Sequence, residues 1–149
     1  MFVQSKIEDA AVAIISGSLV SGSITNWNIY QGLSNNLVKF PCVKVMCHAT
    51  TPLTPKESNS GVAIAKLELL ACAVKRNATN SDSITPEEFE TVSDLVINPF
   101  LMDDIATTMQ LNTNNMKFHK VSENGLNVET FQDGWIATQQ FEIVCGRTA

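Results

Sequence analysis

A chain of 149 residues, 44% hydrophobic and 17% charged, is the length of one ordinary domain and carries enough apolar material for a two-layer core. Its mean hydropathy of +0.06, with helix and strand formers spread along the whole chain, excludes a disordered chain, a low-complexity filament and a collagen-like repeat. Ten Lys+Arg against fifteen Asp+Glu leave a net charge of -5, which gives no electrostatic footprint for nucleic acid or an anionic bilayer, so neither sequence-specific DNA binding nor a membrane partner is expected.

The N-terminal residues lack a basic start followed by an unbroken apolar stretch, so no secretory leader is expected. Ser5-Lys6-Ile7-Glu8 has the form of a capping box, in which the serine takes an orphan N–H and the glutamate reaches back to the cap residue. Ile7, Ala10, Ala11, Ile14 and Ile15 then recur at helical spacing, and Gly17 is expected to close that helix. Residues 16–36 are rich in Ser, Gly and Asn, with a short edge strand expected over Trp27 to Tyr30.

Phe40-Pro41 leads into a strand over Cys42 to Ala49, whose cleaner apolar face carries Val43, Val45, Cys47 and Ala49. Thr50 to Gly61 reads as a polar loop longer than a hairpin needs. Gly61 to Lys75 is ambiguous, because Ala-Lys-Leu-Glu-Leu-Leu-Ala favours a helix by propensity. Periodicity decides for a strand: on a helix Lys66 and Glu68 would sit about 200° apart, whereas on a strand they share one face opposite Ala63, Ala65, Leu67, Leu69, Ala71 and Ala73. An antiparallel pairing with the preceding strand could set Lys44 beside Glu68. The same run, from Val62 to Val74, falls short of the roughly 18 to 20 apolar residues that span a bilayer, so a soluble protein is expected.

Thr85-Pro86-Glu87-Glu88 combines an N-cap, proline at the first helical position and acidic residues in the first turn. The helix it opens should bury Phe89, Val92, Leu95 and Val96 and stop at Asn98-Pro99, with a shorter helix following over roughly Met102 to Leu111. Lys117 to Val121 begins a strand, and Ser122 to Gly125 reads as a hairpin turn on the Asn124-Gly125 signal. After Asp133-Gly134, Trp135 to Cys145 alternates as a long closing strand. The expected architecture is a single α+β domain over residues 1–149, a mainly antiparallel sheet with helices packed on one face.

Residues with catalytic chemistry are sparse. Asp103-Asp104 and Glu87-Glu88 sit near helix starts, where acids meet the helix dipole favourably. Gly17, Gly22, Gly32 and Gly61 form no phosphate-binding loop, and no nucleophile motif accompanies His48 or His119. A metal site built from Cys47, His48 and His119 is disfavoured, since neighbours on a strand point to opposite faces. All four cysteines, Cys42, Cys47, Cys72 and Cys145, fall in strand-like runs and read as reduced, buried thiols. No enzyme activity, cofactor or metal is expected.

A pattern spread over most of the chain resembles the tail terminator proteins of long-tailed bacteriophages and related tail-completion proteins of the neck. Its parts are the amphipathic N-terminal helix, Phe40-Pro41-Cys42-Val43 before a core strand, the polar loop, and the long strand from Val62 to Val74. Thr85-Pro86-Glu87-Glu88-Phe89, Phe100-Leu101-Met102-Asp103-Asp104-Ile105, Leu111-Asn112, Phe118, Val121 and the closing Phe141-Glu142-Ile143-Val144-Cys145 follow. The resemblance implies a virion structural protein, assembled in the host cytoplasm, that forms a homohexameric ring capping the tail tube. Such a ring ends tube polymerisation and meets the head-tail connector proteins, with DNA passing through it. Contacts are expected from Lys56, Glu57 and Asn59 in the loop and from Lys44, Lys66 and Glu68 on the mixed outer face of the sheet. A reading of another class is a small-molecule or peptide-binding module whose pocket, between sheet and helices, would be lined by Trp27, Tyr30 and Trp135.

Overall fold

A computed structural model describes residues 2–32, 39–48, 51–52, 63–74, 84–111, 116–130 and 134–147. Its elements run α1 (Phe2–Ser21), β1 (Asn28–Gln31), β2 (Cys42–Cys47), β3 (Thr51–Pro52), β4 (Ala63–Val74), α2 (Pro86–Ile97), a 3-10 turn (Asn98–Leu101), α3 (Ile105–Leu111), β5 (Met116–Thr130) and β6 (Gly134–Arg147). The sheet is mixed and six-stranded, in the order β1-β2-β4-β6-β5, with β3 also on β4. β1 pairs with β2 in parallel and every other pairing is antiparallel, so the α+β expectation holds with one parallel exception at the edge.

The core lies between the helices and one sheet face. Val43 and Val45 of β2, Ala65, Leu67, Leu69, Ala71 and Ala73 of β4, and Ala137, Phe141, Ile143 and Cys145 of β6 are buried there against helix residues. The alternation that assigned residues 63–74 to a strand therefore governs what is buried, with Lys66 exposed on the opposite face.

α1 departs from the expectation at both ends. It begins at Phe2, before Ser5, and continues past Gly17 to Ser21, because Leu19 extends the buried stripe of Ile7, Ala10, Ala11 and Ile15 by one turn. Ser18 Oγ donates to the Leu95 carbonyl of α2, tying that turn down. Termination comes later, in a Schellman motif: Ile24 N–H bonds the Leu19 carbonyl at 2.8 Å and Ser23 N–H the Val20 carbonyl at 3.0 Å, with Ser23 at φ 60°. Glu8 does not cap its own helix. Its carboxylate is buried and accepts the Cys47 N–H at 2.8 Å, a donor that points toward β1 just beyond the last β1–β2 pair, Gln31 with Val45.

α2 starts as its sequence requires. Thr85 is the N-cap, its side chain accepting the Glu88 N–H at 3.3 Å, with Pro86 in the first turn. Phe89, Val92, Ser93 and Val96 are its buried residues, and Leu95 is half-buried against the core. Asn98-Pro99 does not stop the chain's winding but tightens it into the 3-10 turn, and α3 starts at Ile105, three residues later than Met102. Thr85→Ala should cost about 1 kcal/mol, the usual loss of a helix cap, read as a lower urea midpoint at unchanged slope.

The hairpin expected at Ser122 to Gly125 is absent. β5 runs unbroken through it for 15 residues, and Asn124-Gly125 instead makes a β-bulge, with the register slipping between Glu123 and Gly125 and Gly125 at φ 129°. The same positive φ that suits a type I′ turn suits a bulge. The buried amide of Gln139, on the core face of β6, donates to the Gly125 carbonyl at 2.8 Å and so satisfies the bulge. Gly134 opens β6 where a Cβ would lie 2.2 Å from the Ala73 carbonyl oxygen, so the backbones meet only with glycine there.

Candidate interaction surface

The sheet face away from the helices is built from the alternate residues of three strands. Lys44 and Met46 of β2, Ile64, Lys66, Glu68 and Leu70 of β4, and Thr138, Gln140, Glu142 and Val144 of β6 share it, nearly all half-buried by their neighbours. Charged and amide groups cluster at mid-strand with aliphatic residues around them. Lys66 stands opposite Glu142, and Glu68 opposite Gln140, both pairings that favour adjacent strands.

Glu68 is the polar centre of this face. Gln140 Nε2 donates to its Oε2 at 2.8 Å, and His48 Nε2 lies 3.7 Å from its Oε1. The Glu68 side chain is 15% exposed and His48 49%, so the imidazole stands on the solvent side of the Gln140–Glu68 hydrogen bond. Lys44 is not the cross-strand neighbour of Glu68. The register puts Lys44 opposite Leu70 and Met46 opposite Glu68, so the lysine sits one diagonal step away on the same face. That two-residue offset is set by the full β2–β4 ladder, which a local charge pattern does not encode.

Of the six contact residues expected from sequence, Lys44, Lys66 and Glu68 are brought together here. Lys56, Glu57 and Asn59 lie outside the described residues, although Thr51 and Pro52, at the start of the same loop, form β3 opposite Ile64 and Ala63.

Sequence reasoning missed a second surface. The β5 edge carries Leu126 and Val128, 55% and 53% exposed, opposite Gln139 and Ala137 and therefore on the helix side of the sheet. With Phe89, Glu90 and Ile97 of α2 and Trp135 of β6 they bound a groove of about 400 Å³. The alternation Leu126, Val128, Thr130 was the available signal; reading Asn124-Gly125 as a hairpin turn sets it on a strand folded back on residues 117–121, where the structure continues β5 along β6. Trp27, Tyr30 and Trp135 do not line one pocket. Trp27 is buried 6.5 Å from Phe89, Phe89 stacks on Trp135 at 5.4 Å, and only Trp135 reaches the groove. Tyr30 is on β1, its hydroxyl accepting the Lys39 N–H at 2.9 Å.

The residues weighed for chemistry are dispersed. His48 turns to Glu68, while His119 is exposed on β5, across β4 and β6 from Cys47 on β2. Among the described residues no three His, Cys, Asp or Glu side chains gather as metal ligands. Burial, helped by the nearby Glu8 carboxylate, pushes the Cys47 thiol up to about 12, and burial pushes Cys145 up to about 11. Both are neutral at physiological pH and behave as small apolar groups. Among the described residues no helix is long and apolar enough to cross a membrane. The sequence matches no protein-family model and no curated protein.

Proposed function

We propose that this chain is a structural subunit of a long-tailed bacteriophage with a tail-terminator-like fold. It closes with copies of itself, a hexamer by the resemblance, into a ring at the end of the tail tube. The ring ends tube polymerisation and offers its other rim to the head-tail connector proteins; it is assembled in the host bacterial cytoplasm, stays in the virion neck, and works without catalysis or cofactor. The observation that carries the reading is the open outer face of the sheet, where Lys44, Lys66 and Glu68 stand among aliphatic residues with no helix over them among the described residues. A mixed face of this kind suits a protein partner. The long β5 edge is a different surface, on the opposite edge of the sheet from β1, and contacts between unlike surfaces produce rings when their rotation closes. A net charge of -5 suits a lumen through which DNA passes without adhering.

Purified protein added to polymerising tail-tube subunits should give tubes that stop growing and carry a ring at one end in electron micrographs. Deleting Ser58 to Ser60, within the polar loop expected from the sequence, should leave the melting transition in place, since a change of loop length costs little stability, while lowering the fraction of capped tubes. A virion reconstruction with no ring of this chain at the end of the tube, or catalytic turnover by the monomer, defeats the proposal. The groove between α2 and the β5 edge favours a second reading, a binding module for a small apolar molecule or peptide. A ligand that quenches Trp135 fluorescence in protein that never caps tubes would select it.

A further inference from the structure

We propose that Cys42 and Cys72 form a redox-reactive dithiol, a modification site that a peroxide-class oxidant converts into a cross-strand disulfide between β2 and β4. The two residues are direct register partners and lie on the outer face of the sheet, 0% and 5% exposed. The His48 N–H to Lys66 carbonyl bond marks the position opposite Lys66 as a hydrogen-bonded pair. Counting back by twos along the ladder makes Cys42 and Cys72 a pair of the same kind, whose Cα atoms stand about 5.5 Å apart, within the roughly 4.4 to 6.8 Å that a disulfide bridges. The Cβ atoms of such a pair stand nearer to about 5.5 Å than to about 4.5 Å apart, against the roughly 3.5 to 4.5 Å of a disulfide, so closure needs side-chain rotation and a local drawing together of β2 and β4 by about 1 Å. Both cysteines are free thiols in this structure, the reduced state of the site.

The pair is also chemically unlike the other two cysteines. The neighbouring Cys42 thiol and the Lys44 ammonium hold Cys72 below the usual thiol range against the opposing effect of burial. Cys42 is pushed up by its Cys72 neighbour and by burial. These opposite shifts make Cys72, the more exposed of the two, the readier nucleophile, with Cys42 beside it as the resolving thiol. Burial admits only a small oxidant, such as hydrogen peroxide. The Cys72 thiolate attacks one peroxide oxygen, the O–O bond breaks, hydroxide leaves and takes a proton to become water, and Cys72 becomes a sulfenic acid. Cys42 sulfur then attacks Cys72 Sγ, the S–S bond forms, the S–O bond breaks, and the hydroxyl leaves with the Cys42 proton as a second water. Two thiols are oxidised and one peroxide is reduced. Since β1 joins the sheet through its pairing with β2, the bridge would anchor that whole edge to β4.

The inference is independent of ring formation and is tested on the wild-type protein. Fully reduced protein is treated with hydrogen peroxide, alkylated, and weighed under denaturing, non-reducing conditions. The expected product loses two hydrogens and two alkylation sites, and trypsin leaves the peptides 40–44 and 67–75 joined until dithiothreitol separates them. The joined peptides should form at least about tenfold faster than Cys145 is modified, as reactivity follows thiolate character. Cys42→Ser should stop at a Cys72 sulfenic acid, which dimedone traps when added together with denaturant; if that variant does not fold, the wild-type peptide map still decides. Four alkylated thiols after peroxide, a bridge containing Cys47 or Cys145, or a bridge found only between two chains would overturn the assignment.

Discussion

Phe141→Ala should destabilise the protein by about 3 to 5 kcal/mol, the range for emptying a fully buried aromatic site. Phe141 is 0% exposed in mid-β6, opposite Leu67 on one side and Glu123 on the other, and its ring centroid lies 5.4 Å from that of Phe100. The truncation thus removes apolar area, breaks a ring pair and leaves a void where the 3-10 turn meets the sheet, a region held by packed side chains that collapse only in part. Urea unfolding followed by circular dichroism reads the loss as a lower midpoint. Gln140→Ala, one residue away on the outer face, supplies the control and should move the midpoint far less. Equal shifts for the two would mean that β6 is not inserted as described.

Leu67→Ala and Leu69→Ala should each cost on the order of 2 to 5 kcal/mol, as core leucine truncations do, while Lys66→Ala costs much less. Both leucines are buried on the core face of β4, at 0% and 1% exposure, and β4 is paired on both sides, with β2 and with β6. A large-small-large response at consecutive positions is the signature of a period of two. A helix through the same residues would put Lys66 and Leu67 only about 100° apart, a weaker contrast. Comparable losses at all three positions, or helical NMR secondary shifts over residues 63–74, would refute the strand.

The candidate surface divides in the same way as the fold between local and non-local information. Which face Lys44, Lys66 and Glu68 occupy follows from alternation within their own strands, so it was legible. That Glu68 is hydrogen-bonded by Gln140 and faced by His48, and that Lys44 faces Leu70, depends on how β2, β4 and β6 align. Leu126 and Val128 show the cost of a local misreading: once Asn124-Gly125 is taken for a hairpin turn, their strand folds back on residues 117–121 instead of continuing β5 along β6, and the groove loses its wall. Cys42 and Cys72 look like two unrelated core thiols until the register sets them opposite each other.

By itself the sequence determined the elements whose signals are complete within a few residues: the Thr85-Pro86 start of α2, the period-two burial of β4, and the alternating faces of β6. Cap hydrogen bonds and side-chain direction along one strand are properties of adjacent residues, so they survive without knowledge of partners. Tertiary structure alone decided where α1 ends, because packing of Leu19 and the bond from Ser18 to α2 outweigh the helix-breaking tendency of Gly17. It also decided that Asn124-Gly125 bulges instead of turning: the backbone angles permit both, and the long ladder to β6, with Gln139 bonded to the bulge carbonyl, selects one.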